Sequence, residues 1–118
     1  MSTQLSIAFG ESPDPAVKVV TLTGEMDEIS LETLKNQMDP VLNDSAIKAV
    51  IFDLQNLSFI NSKGIGYLVA VHTHLAKDHR KLLLARAQEA VMDVISLVGL
   101  TSIIPHFESP EKAFQGAL

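Results

Sequence analysis

Strand patterns and helix patterns alternate along this chain. They predict an α/β fold on a mixed, mostly parallel sheet of about five strands with about four helices. Two observations carry the prediction. Lys48 to Leu54 is a near-continuous apolar run, the pattern of a strand covered on both faces at the centre of a sheet. Amphipathic helical stripes then alternate with short apolar runs to the end of the chain. The resulting order is β-β-α-β-α-β-α-β-α. At 118 residues the chain fits one domain, 1–118, that buries roughly two-thirds of its unfolded surface.

Taken in order, Leu5, Ile7 and Phe9 alternate with Gln4, Ser6 and Ala8, as in a half-buried strand. The breaker-rich stretch from Gly10 through Glu11 to Pro15 reads as a turn. Val17 to Thr23 resumes an extended pattern, so the chain opens with an antiparallel hairpin at one edge of the sheet. Ser30 is the expected N-cap of a first helix whose stripe is Leu31, Leu34, Met38 and Val41 or Leu42, with a kink or tightening near Asp39 because Pro40 lacks a backbone donor. A second helix begins near Ser62, with Ile65, Leu68, Val69, His72 and Ala76 on one side and Val71 and Leu75 widening the stripe. Lys81 to Ala85 is a short buried strand, and Ala90 to Val98 is a third helix with Gly99 as its C′ residue. Thr101 to Phe107 reads as an edge strand that tolerates Pro105, and Ser109-Pro110-Glu111 is a helix start with N-cap, N1 proline and first-turn acid.

Bulk properties exclude several function classes. A net charge of -5, with basic residues scattered singly apart from His79-Arg80-Lys81, argues against nucleic acid as a partner. There is no cysteine, so disulfides, thiol chemistry and cysteine-based zinc sites are excluded. No charged and then apolar leader opens the sequence, and no apolar run approaches the ~18 residues a membrane span needs. The expectation is a cytoplasmic domain that contacts no membrane.

The residues offer little catalytic or metal chemistry. His72 and His74 point in nearly opposite directions on a helix, and His79 lies two turns, about 10 Å, from His72. No carboxylate falls at matching spacing, so His72 reads as a partly buried core residue and His106 as a surface strand residue. Gly64-Ile65-Gly66 is half of a dinucleotide fingerprint without its third glycine. A phospho-acceptor receiver would need paired acids after its first strand and an aspartate beyond its third, whereas Asp53 lies within a strand. Ser62 has no sequence-local base.

The stretch Leu57 to Gly66, between the central strand and the second helix, stands apart. Asn61 or Ser62 caps the helix that follows. Two glycines within three residues, Gly64 and Gly66, each cost about 1 kcal/mol in a helix relative to alanine, which makes sense if a neighbouring loop or a partner comes close to the backbone there. A serine at an exposed strand-to-helix junction is also open to a kinase, and a phosphate there sits near the positive end of the helix dipole.

Ile51-Phe52-Asp53-Leu54 followed by Phe59-Ile60-Asn61-Ser62-Lys63-Gly64-Ile65-Gly66 resembles the signature of STAS domains, the anti-sigma factor antagonist family. Leu22-Thr23-Gly24-Glu25-Met26-Asp27 resembles that family's turn before its first helix, and the element order matches along nearly the whole chain. The resemblance implies a partner-switching regulator of transcription with no enzymatic activity and no cofactor. When unmodified it binds an anti-sigma factor that is a serine kinase; the kinase phosphorylates the motif serine, here Ser62, and the complex parts. A serine phosphatase restores the antagonist. The implied docking surface is Met26, Asp27, Glu28, Asn61, Ser62, Lys63, Gly64, Ile65 and Gly66, with the exposed side of the second helix.

Two positions depart from the family motif, which has Asp before the serine and Ser or Thr after it. Asn61 keeps the capping oxygen without the charge, and Lys63 adds a cation that offsets part of a phosphate. They motivate an alternative, a constitutive interaction module that binds a regulator or phosphatase without being modified. A third reading, a sensor of a small apolar ligand, has no polar constellation behind it. The expected state is a monomer or weak dimer, with Leu5 to Phe9 as the edge open to self-pairing.

Overall fold

The computed structural model describes residues 5–10 and 12–118. Gln4 of the predicted first strand and Glu11 of the predicted turn lie outside the described residues. Among the described residues, five strands form one sheet in sequence order: β1 (Leu5–Gly10), β2 (Val17–Met26), β3 (Ala49–Ile60), β4 (Lys81–Ala85) and β5 (His106–Phe107). β1 runs antiparallel to β2, and every other pairing is parallel. The helices are α1 (Glu28–Leu42), α2 (Ser62–Ala76), α3 (Glu89–Leu97) and α4 (Pro110–Ala117). The predicted class and element order are those observed, and no described helix is long and apolar enough to cross a membrane.

β3 is the middle strand, and its residues from Ala49 to Leu54 are all buried. Alternation sends Val50, Phe52 and Leu54 into the main core, with Leu31, Leu34, Met38 and Leu42 of α1, Leu68, Val71 and Leu75 of α2, and Val91 and Ile95 of α3. Ala49 and Ile51 face a smaller cluster with Leu83, Ala85 and Ala113, closed by Phe114 and Ala117 of α4. The near-continuous apolar run is therefore explained by cover on both faces.

Several local expectations are corrected. The N-cap of α1 is Asp27, not Ser30: the Asp27 carboxylate accepts from Ile29 N and Ser30 N at 3.0 Å each, and Ser30 Oγ accepts from Asp27 N at 3.0 Å. An acid and a serine three residues apart close a reciprocal capping box, so the serine that looked like the cap is its N3 partner. By contrast α1 ends where expected: Pro40 lies inside it, the helix runs to Leu42, Asn43 N bonds Asp39 O at 3.0 Å, and Asp44 N closes onto Val41 O at 3.2 Å. The buried face of α2 is Gly64, Tyr67, Leu68, Val71 and Leu75, turned from the expected stripe so that Val69 and His72 are half-buried and Ala76 is exposed. The last predicted strand shrinks to His106–Phe107, because Gly99 at φ 74 turns the chain into a 3-10 turn, Leu100–Ser102. Leu100 and Ile104 are buried and Ile103 exposed, a helical spacing rather than an alternating one.

The largest correction concerns β3, which runs six residues beyond Leu54. Its partner β2 also continues, to Met26, and the pairing register shifts twice, between Thr21 and Thr23 and between Gly24 and Glu25. Each shift inserts one extra residue into β3, the signature of a bulge. At the first, the Asp53 carboxylate accepts from Gln55 N at 3.2 Å and from Arg86 Nε at 3.1 Å, with the Arg86 Nη2 on its other oxygen. At the second, Gly24 takes φ 117 and its carbonyl accepts from Ser58 Oγ at 3.0 Å. Asp53 is thus a structural carboxylate that holds a bulge.

Two further polar groups tie the elements together. Arg80, at the centre of the basic run, is buried, and its guanidinium donates to the carbonyls of Leu42 at 2.8 Å and of Asp44 and Ile47 at 3.3 Å each. It satisfies the carbonyl end of α1, where a cation is favoured. His106 Nε2 accepts from Ala87 N at 3.0 Å, and burial holds its pKa below the usual histidine value. A folded-state pKa below the unfolded ~6.5 means the unfolded chain takes up more protons, so this contribution is complete above pH ~6.5 and is lost as pH falls toward the lowered value. Denaturant midpoints at pH 7.5 and 5.5, taken as values on either side of ~6.5, should differ less for His106→Gln than for the wild type; equal differences would remove His106 from the pH dependence.

Candidate functional site

β2 and β3 end level with one another, at the paired residues Met26 and Ile60, and each leads into a helix. Two helix N-termini therefore stand side by side at one end of the sheet. Asp27 caps α1 and Asn61 caps α2. Asn61 N donates to Met26 O at 3.2 Å, so the strand pairing carries through to the second cap. Asn61 Oδ1 accepts from Gly64 N at 3.0 Å, and Asn61 Nδ2 donates to Glu28 Oε2 at 2.7 Å. A single carboxamide thus caps one helix with its oxygen and holds the first residue of the neighbouring helix with its nitrogen.

Because Asn61 takes the capping role, Ser62 is released from it. Ser62 is the first residue of α2, exposed, and among the described residues its hydroxyl makes no hydrogen bond. The first turn of α2 directs unpaired N–H groups toward the same region. Lys63 is exposed beside it, on the rim of a groove between α1 and α2 that Glu28, Glu32, Lys35 and Asp39 also line. One turn below, Tyr67 is buried with its hydroxyl unpaired; burial, reinforced by Asp39, pushes its pKa well above the usual phenol value.

The nine residues assigned to docking divide into two layers. Glu28, Ser62, Lys63 and Gly66 are exposed, and Asn61 and Ile65 are half-buried. Met26, Asp27 and Gly64 are buried and form the floor. The two glycines divide in the same way. A Cβ on Gly64 would stand 2.7 Å from Ile60 Cγ1 and 3.1 Å from Met26 O, so this glycine lets α2 pack against the strand ends. A Cβ on Gly66 would meet nothing within 4 Å. Only Gly66 leaves room for a partner.

Two exposed apolar residues near the helix starts escaped the sequence reading. Ile29, in the first turn of α1, is 69% exposed, and Phe59, near the end of β3, is 46% exposed. Ile29 lies two residues after the cap Asp27 and Phe59 two residues before the cap Asn61, so each leaves an exposed apolar side chain close to a helix start. The signal for Ile29 was its place between Asp27 and Ser30, once those two form a capping box. Phe59 has no such signal, since its orientation follows from the second bulge. Among the described residues no three His, Asp or Glu side chains come together in a way that holds a metal ion.

The layering makes the two glycines separable by experiment. Gly64→Ala should destabilise the fold by ~1–3 kcal/mol through overpacking. Gly66→Ala should be neutral or stabilise by ~0.5–1 kcal/mol, since it removes a helix-interior glycine without a clash. Denaturant unfolding of the two variants reads this directly, and equal losses would mean that Gly66 is also a packing residue.

Comparison with known proteins agrees with this architecture. The STAS domain family model matches residues 12–113. The anti-sigma F factor antagonist of Paenibacillus polymyxa is 23% identical over 97 residues, covering 82% of this chain and 83% of that protein. The crystal structure of an anti-sigma factor antagonist from Mycobacterium paratuberculosis superposes with a TM-score of 0.84 at 24% identity, covering 96% of this chain and 93% of the other. The anti-sigma factor antagonist SpoIIAA is similar in its unphosphorylated form, with TM-score 0.79, 21% identity and coverage of 94% and 95%. Its phosphorylated form, from Bacillus, gives TM-score 0.73, 19% identity and coverage of 96% and 100%. With the family model spanning all but the two ends of the chain, and the motif residues standing at the paired helix starts, the chain belongs to the STAS domain family.

Proposed function

We propose that this chain is an anti-sigma factor antagonist that changes partner through Ser62. The observation that carries the reading is the free, exposed hydroxyl of Ser62 at a helix start whose capping is already done by Asn61. A serine needed as a cap could not be modified without loss of the helix end; Ser62 is dispensable to the fold and open to an enzyme. That the similar SpoIIAA exists in phosphorylated and unphosphorylated forms supports the reading.

In this mechanism the unmodified surface, with Ile29 and Phe59 as apolar anchors and Glu28, Asn61, Ser62, Lys63, Ile65 and Gly66 between them, binds an anti-sigma factor that is a serine kinase. Ser62 Oγ attacks the γ-phosphorus of ATP, its proton passes to a base of the kinase, and ADP leaves. The phosphate brings about -1.5 to -2 charge and three acceptor oxygens. The N–H groups of the first turn of α2 stabilise it within this fold, as Lys63 does. The Glu28 carboxylate, held beside Asn61, stands on the same surface and adds its charge to that of the phosphate. The surface becomes strongly anionic where a complementary partner has been fitted to a neutral hydroxyl, and the complex dissociates. Hydrolysis by a serine phosphatase restores it.

Glu28 also answers the departure at Asn61. The negative charge that the family motif carries on the residue before the serine is provided here from α1, through the 2.7 Å bond to Asn61. Lys63 favours the second reading, a constitutive module bound to a regulator or phosphatase, because an adjacent cation offsets part of each added charge.

Intact-mass analysis after incubation with a serine-kinase anti-sigma factor and ATP decides between them. The expected result is one added phosphate on the wild type and none on Ser62→Ala. An unmodified wild type, or a modified Ser62→Ala, would sink the switch. Ser62→Glu should weaken kinase binding about tenfold or more in calorimetry, ~1.4 kcal/mol or above. An affinity indifferent both to Ser62→Glu and to ATP selects the constitutive module.

A further inference from the structure

We infer that this chain associates with a second copy of itself through the open edge of β1, giving a ten-stranded sheet across a twofold axis. The two edges of the sheet are managed differently. At one, β5 is two residues long and follows Pro105, which shortens and blunts it. At the other, β1 is six residues long, paired one-to-one with β2 without a bulge, and its sequence Leu5-Ser6-Ile7-Ala8-Phe9-Gly10 has neither a charge nor a proline. Among the described residues, none of the usual guards against edge pairing is present in it.

Successive residues of an antiparallel strand turn their N–H and C=O groups to opposite edges, so half of β1 presents both groups outward. Such an edge is self-complementary about a twofold axis. Directly opposed residues share a face, so the axis passes through Ile7 or through Ala8. Leu5 and Ile7 are half-buried against the main core, whereas Phe9, on the same face opposite Val20, is 46% exposed. With the axis at Ile7, Phe9 meets Leu5 of the second copy; with the axis at Ala8, it meets Ile7. Either register covers the ring.

A second copy fits this edge better than a foreign strand does. Selective strand addition needs side-chain pockets beside the edge, but the other face of β1 offers only the small, exposed Ser6, Ala8 and Gly10. An uncharged strand meets no like charge in its own copy. The inference is independent of the Ser62 reading, and the twofold axis sends the two Ser62 junctions to opposite ends of the joined sheet, where both stay open.

A single pair of edge strands is a small interface, so the association is weak and sedimentation velocity should follow the full chain from about 10 μM to about 1 mM. The wild type should shift toward a dimer with rising concentration, and hydrogen exchange should show β1 amides gaining protection over the same range. Ala8→Lys and Ser6→Lys, both at exposed positions, should stay monomeric with melting temperatures near that of the wild type. A wild type that is monomeric throughout overturns the inference, as does a dimer without added β1 protection. A dimer undiminished in either folded lysine variant also overturns it and directs attention to the exposed apolar residues Leu97, Val98 and Ile103.

Discussion

The structure depends on one constraint, that β2 and β3 end at the same level. Met26 and Ile60 are paired, and from that pair the chain twice turns directly into a helix. A parallel pair of strands does not arrive at such a junction unaided when its two members differ in length. Here two bulges take up the difference in β3, one held by the Asp53 carboxylate and the other by Gly24 at positive φ. Asn61 N on Met26 O and the Gly64 backbone against Met26 then lock the two helix starts together.

The proposed docking surface is a consequence of that lock. Capping is a task for one side chain at each helix, and Asp27 and Asn61 perform it from partly or fully buried positions. The hydroxyl of Ser62 is left without a structural duty at the point where two helix dipoles present their positive ends. Met26, Asp27 and Gly64 beneath it are the rigid support that a binding surface needs, and they act through the positions of their neighbours.

Much of this was legible in the sequence, for identifiable reasons. Ala49 to Leu54 could only be a doubly covered strand, and Ser109-Pro110 could only begin a helix. Where the reading failed, two local signals competed. Ser30 has the residue type of an N-cap, but Asp27 three residues earlier is the stronger acceptor and makes Ser30 its partner. Thr101 to Phe107 has the composition of a strand, but Gly99 redirects the chain before it can pair, and the burial of Leu100 and Ile104 holds it in that course. The polar residues Gln55, Asn56 and Ser58 concealed the continuation of β3, since a strand with bulges loses its simple alternation.

The sequence by itself determined the class of fold, the order of its elements, the central strand and the place of Ser62 at a helix start. These follow from hydrophobic periodicity and cap chemistry, which act over a few residues. The tertiary structure decided which of the nine docking residues face outward, which glycine packs and which is open, and that Glu28 reaches Asn61 across 33 positions of chain. It also left Ile29 and Phe59 exposed near the two caps. These depend on where one strand ends relative to another, and that level is set by pairing and bulges between segments that are distant in sequence.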